Sequence, residues 1–182
     1  MYSLVRLCVV AYDVDELLNL EHLGHIPNLQ KLLLQGKLQG GVAPSILHSF
    51  IKVRGLHMGW SGLQVDPLPS FSHMLNLTRL RLYRAYDGPI LTFRAGWFPK
   101  LKELRLADME QLRSIEVKVG AMQNLNLLLI RGLREMLVVP SGFRYLTTMQ
   151  KMLVWDMPQI FVERAQGEDF VLLQHIKDIR YR

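Results

Sequence analysis

The chain has 182 residues, 49% of them hydrophobic and 21% charged, with a net charge of +6. That length supports one well-buried core, and that composition excludes intrinsic disorder. The single cysteine, Cys8, excludes an intrachain disulfide, no apolar run reaches the roughly 18 residues of a membrane-spanning helix, and the basic balance favours an acidic partner.

Residues 4–10 are apolar but interrupted by Arg6 and followed by Asp13 and Asp15, a poor signal peptide, and the single Cys8 fits a reducing compartment such as the cytosol. The same stretch opens a pattern, L-x-x-L-x-L, with Leu4, Leu7 and Val9 in its fixed columns. The pattern returns at Leu29, Leu32 and Leu34, and from there keeps a constant period of about 24 residues. The later triplets are Val53, Leu56, Met58; Leu77, Leu80, Leu82; Leu101, Leu104, Leu106; Leu125, Leu128, Ile130; and Met149, Met152, Val154. All 21 positions are Leu, Ile, Val or Met, and an apolar column three residues upstream (Met1, Ile26, Phe50, Met74, Phe98, Met122, Leu146) keeps the same register.

That period with these columns is the signature of a leucine-rich repeat. Each x-L-x-L-x stretch alternates faces as a short strand does, and strands that all start from one side form a parallel sheet. No unit can bury its apolar face alone, so about seven of them stack into one core. The predicted fold is therefore an α/β solenoid, a horseshoe with a parallel concave sheet. Pro44, Pro67, Pro69 and Pro140 leave the convex side mostly loops and short turns. Repeats are expected over 1–157, with an uncapped, truncated N-terminal end. A C-terminal cap is expected over 158–182, where Ile176, Ile179 and Tyr181 repeat the triplet spacing as a closing strand.

Side chains between the buried columns face the concave side. The candidate protein-binding residues there are Arg79, Arg81, Tyr83, Arg105, Leu127, Leu129, Arg131, Leu153 and Trp155. They read as an arginine cluster beside an exposed apolar patch, the usual composition of interface hot spots. Aromatic residues do not interleave with these arginines as a base-stacking array requires, so nucleic acid is not the expected partner.

No catalytic or cofactor site is expected. Neither G-x-x-x-x-G-K-[ST] nor G-x-G-x-x-G occurs, and Gly36, Gly40 and Gly41 with Lys37 have the wrong spacing to cradle phosphate. His22 and His25 read as a solvated pair, because structural zinc needs about four ligands. Cys8 has no signature base nearby, and Glu163, Glu168 and Asp169 read as a charged surface of the cap.

Several stretches carry a family resemblance. They are M-G-W-S-G-L at 58–63, D-P-L-P-S at 66–70, R-L-Y-R-A-Y-D-G at 81–88, F-P-K-L-K-E-L-R-L at 98–106 and V-G-A-M-Q-N-L at 119–125. The tail adds D-M-P-Q-I-F-V-E-R at 156–164, then G-E-D-F and Q-H-I-K-D-I-R-Y-R. The chain resembles the C-terminal repeat region of plant coiled-coil nucleotide-binding leucine-rich-repeat disease resistance proteins over essentially its whole length. The resemblance implies a cytoplasmic recognition module of innate immunity, not an enzyme, that senses a pathogen effector or a guarded host protein. It also allows an intramolecular, autoinhibitory module docking on an upstream nucleotide-binding domain; a generic repeat adaptor is the third reading. The chain departs from the family in lacking the coiled coil and the phosphate loop of the switch domain. The asparagine ladder of extracellular plant repeats is absent too: Lys37, Ser61, Ala85, Met109, Leu133 and Met157 hold those turn positions.

Overall fold

The computed structural model describes residues 4–13, 16–20, 23 and 26–182. Met1, Asp15, Glu21, His22 and His25 lie outside them. In chain order the strands are β1 (Arg6–Val10), β2 (Leu17–Leu18), β3 (Lys31–Gln35), β4 (Lys37–Leu38), β5 (Gly55–Gly59), β6 (Arg79–Tyr83), β7 (Ile90–Phe93), β8 (Glu103–Ala107), β9 (Ser114–Val117), β10 (Leu127–Arg131), β11 (Lys151–Trp155) and β12 (Asp178–Tyr181). Two short helices, α1 (Leu68–Phe71) and α2 (Gln159–Gln166), and several 3₁₀ turns complete the described elements.

The apolar columns become the core of one eight-stranded parallel sheet in the order β1-β3-β5-β6-β8-β10-β11-β12. Register is one repeat per strand: Leu32 pairs with Leu56, Leu56 with Leu80, Leu80 with Leu104, Leu104 with Leu128 and Leu128 with Met152. The triplets from Leu29 to Val154 are buried, and so is the upstream column from Phe50 to Leu146. This is a leucine-rich-repeat solenoid. At one edge, β1 has a single neighbour, so Leu7 and Val9 are half-buried and Leu4 is 49% exposed. At the other edge β12 continues the columns, with Ile179 opposite Met152 and Tyr181 opposite Val154. Helix α2 buries Phe161 and Ala165 beneath that end.

Strands β3, β5, β6, β8, β10 and β11 stop the same way. The next residue (Gly36, Trp60, Arg84, Asp108, Gly132 or Asp156) adopts a positive φ, so the turn recurs once in every unit at the period of the leucine columns. A left-handed residue ends the alternation and turns the chain toward the convex side, at a cost of about 1 kcal/mol wherever it is not glycine. Hydrogen bonds across units offset that cost. The N–H groups of Trp60, Arg84 and Asp108 donate to the carbonyls of Tyr83, Ala107 and Arg131 at 2.9, 3.0 and 2.8 Å. At Gly132 glycine avoids that cost, and a Cβ there would force the Asp108 carboxylate to shift.

A polar column precedes the first leucine of each unit. Lys52 donates to Asn28 at 3.0 Å, Lys100 to Asn76 at 2.8 Å, and Asn124 to the Pro99 carbonyl at 2.7 Å. On the convex side, β7 and β9 pair in parallel, and Leu91, Phe93, Ile115 and Val117 seal the core from behind. The proline-bearing stretches there form short turns, as at Ser45–Ser49 and Ser141–Tyr145.

Candidate protein-binding face

The strand register sorts the concave side chains into three rows running across the sheet. The first is Arg6, Lys31, Gly55, Arg79, Glu103, Leu127, Lys151, Asp178. The second is Cys8, Leu33, His57, Arg81, Arg105, Leu129, Leu153, Arg180. The third is Val10, Gln35, Gly59, Tyr83, Ala107, Arg131, Trp155. All nine residues singled out from the sequence lie on this face.

Six of the nine (Arg81, Tyr83, Arg105, Leu129, Arg131 and Trp155) surround one depression of about 360 Å³. The depression opens over Ala107, where the third row has only a methyl group between Tyr83 and Arg131. Trp60 joins them, a residue that alternation alone assigns to the core. Its left-handed backbone, φ 51°, swings the indole out of the strand pattern. The ring sits edge-on to Tyr83 with centroids 4.6 Å apart and stays 40% exposed. The Arg84 guanidinium also lies over the Tyr83 ring, 5.9 Å from its centre. The result is a rim of rigid aromatic and guanidinium groups, the chemistry that supplies most binding energy at protein interfaces.

One expectation about this face needs correction. Leu129 and Leu153 are not an exposed patch: they are 4% and 9% exposed. Both occupy the middle row, where strands about 4.8 Å apart let long neighbours close over them. Arg105 stands opposite Leu129, and Arg180 opposite Leu153. Of that patch only Leu127 and Trp155 stay partly accessible.

The arginines of the cluster are mostly ion-paired within the face. Arg81 donates to Glu103 through Nε and Nη2 at 3.1 and 2.8 Å, and Arg105 donates to the same oxygen at 2.6 Å. Burial pushes the Glu103 carboxyl up, but the hydrogen bonds and charges of the two guanidiniums outweigh it and hold the group below its ordinary value. Arg131 is likewise held by Asp108 at 2.9 Å. These pairs fix guanidinium positions before any partner arrives, which lowers the ordering cost of binding. Arg79 stands apart, on the first row beside Gly55.

No family model matches the sequence. Curated relatives do. The chain is 31% identical over 173 residues to the disease resistance protein RPM1 of Arabidopsis thaliana, covering 95% of this chain. It is 26% identical to the disease resistance RPP8-like protein 3 and to the disease resistance protein RPP8 of the same plant, over 88% and 89% of this chain. Its homologues are the plant nucleotide-binding leucine-rich-repeat disease resistance proteins. The chain spans less than a fifth of the length of these relatives, between 16% and 18%.

The stretches that carry the resistance-protein likeness have work in the fold. In D-P-L-P-S, Asp66 accepts the N–H groups of Leu68 and Thr92 at 2.9 and 3.1 Å, tying one unit to the next. In A-Y-D-G, Tyr86 donates its hydroxyl to the Ile90 carbonyl at 2.9 Å, and a Cβ at Gly88 would collide with that phenol. In G-E-D-F, Asp169 accepts from Arg164 at 2.9 Å. Among the described residues no group of three or more His, Cys, Asp or Glu could hold a metal ion, and no helix is long and apolar enough to cross a membrane.

Proposed function

We propose that the concave face is the recognition surface of a plant intracellular immune receptor, and that it binds a protein: a pathogen effector or a host protein under guard. The observation that carries this reading is the convergence of Trp60, Tyr83 and Trp155 with three guanidiniums around one depression. The names of the relatives supply the biological setting, defence against disease. The same setting and the unpaired Cys8 support a cytoplasmic location.

The test is the double change Tyr83→Ala with Trp155→Ala in the receptor that carries these repeats, with folding checked by circular dichroism. Losing two rigid aromatic anchors weakens partner binding by at least about tenfold, so the ligand-triggered response is lost while resting activity stays low. Activation without ligand would move the face to the restraining role. An unchanged response and unchanged resting activity would reduce it to a solvated surface.

A further inference from the structure

We infer that the concave face carries a second subsite, a cleft floored by Gly55 on β5, that takes the carboxylates of an extended acidic segment of a partner protein. The inference rests on the reading of this face as a protein-recognition surface and adds the chemistry of what that surface selects.

The cleft has a volume of about 380 Å³ and is walled by Arg6, Lys31, Arg79 and Arg81, with His57 on its floor. Its charge is uncompensated in a way the rest of the face is not. From β8 onward the cations of the three rows have acids: Arg105 has Glu103, Arg131 has Asp108, and Lys151 and Arg180 have Asp178. Arg81, at the boundary, also uses Glu103. Among the described residues Arg6, Lys31 and Arg79 have no carboxylate partner, and the concave positions of β1, β3, β5 and β6 include no Asp or Glu. The three charges feel one another: Arg6 first, then burial, then Arg79 lower the pKa of Lys31. An acidic ligand relieves that repulsion, and a cationic or neutral one does not.

Gly55 is the independent observation. Its backbone does not need glycine, because φ is not positive there, and a Cβ would meet only Lys31 Cγ at 3.8 Å and the Arg79 guanidinium at 4.0 Å, ordinary contact distances. Gly59, at the other end of β5, is equally roomy. Two glycines in one five-residue strand cost stability that the fold does not require, and glycine in a strand often marks close approach by another chain. Here it leaves the β5 backbone without a side chain at Gly55, beside the His57 ring. Lys31 and Arg79 reach over that floor from either side, on strands about 10 Å apart. The cleft has no aromatic platform beyond His57, so bases have nothing to stack on.

The test measures anisotropy of three fluorescein-labelled probes with the 182-residue chain: a Glu-Asp hexapeptide, a Gln-Asn hexapeptide, and a single-stranded DNA hexamer. The expected result is saturable binding of the acidic peptide, weakened at least tenfold between 50 and 300 mM salt, with no binding of the amide peptide and weaker binding of DNA. Gly55→Val fills the floor, and should abolish acidic-peptide binding while the thermal midpoint holds or rises. Should Gly55→Val fold poorly, Lys31→Ala with Arg79→Ala makes the same prediction without adding bulk. Equal or tighter DNA binding, no saturable binding of the acidic peptide, or binding that survives both variants would overturn the inference. Tyr83→Ala with Trp155→Ala lies outside this cleft and should leave the acidic probe bound. Failure of the recognition reading and failure of the subsite are thereby scored by different variants.

Discussion

Leu104 and Arg105 are neighbours in sequence and opposites in surroundings. Leu104 is 1% exposed between Leu80 and Leu128, whereas Arg105 lies on the concave face against Glu103. Leu104→Asp places an unpaired charge inside the stack and should cost several kcal/mol. Arg105→Gln loses one partly solvated ion pair and should cost under about 1 kcal/mol. Urea denaturation of both variants checks the assignment of faces; equal losses would contradict it. Two histidines make stability depend on pH. His73 stacks on His48 at 4.8 Å, with its Nε2 3.0 Å from the Leu47 carbonyl. Burial first, with a smaller contribution from His48, lowers its pKa against the raising effect of that carbonyl; burial and then Arg81 lower that of His57. Folded values below the unfolded value of about 6.5 mean that the unfolded chain binds more protons in that window. The stability is present above the unfolded value and is lost as pH falls through it toward the folded ones. The thermal midpoint should therefore drop between pH 7.5 and 5.5, and drop less in His57→Gln with His73→Gln. An identical drop in that variant would assign the effect to other groups.

The strands were legible in the sequence because burial repeats: a column that recurs once per unit at a fixed period reports a stack whatever the loops between do. Less legible was what stands beside each strand. Alternation gives the direction of Leu129 and Leu153 but not the long neighbours that cover them. It places Glu103 on the face without showing that two guanidiniums share it, since the pairing depends on side-chain reach across strands. Trp60 was missed because it lies one residue past its strand, where the left-handed turn breaks the alternation; the recurrence of the turn positions at the period of the repeat was the available signal. The convex pair β7 and β9 also had a trace, I-L-T-F and S-I-E-V at the same phase of successive units. Asp66 shows what holds such elements in place. It is half-buried, joins α1 to β7 through two backbone N–H groups, and its pKa is raised chiefly by burial. Asp66→Ala strands both donors and should cost about 1–3 kcal/mol, read by chemical denaturation, with Asp66→Asn recovering part of the loss. No loss in Asp66→Ala would mean that the loop is held by packing alone.

Across the whole molecule, stacking converts one local rule into a surface. Each unit contributes three concave positions, so a concave face of eight strands is written in short, separated words of sequence, and its acids lie only from β8 onward. The central claim is that a protein partner docks on this face. Site-specific photo-crosslinking addresses it most directly, with a benzophenone amino acid in place of Ala107, at the floor of the aromatic depression, or in place of Ile90, exposed at the start of convex β7. In the receptor carrying these repeats and exposed to its eliciting ligand, position 107 should capture the partner and position 90 should not. Capture at position 90 with none at 107 would contradict the account.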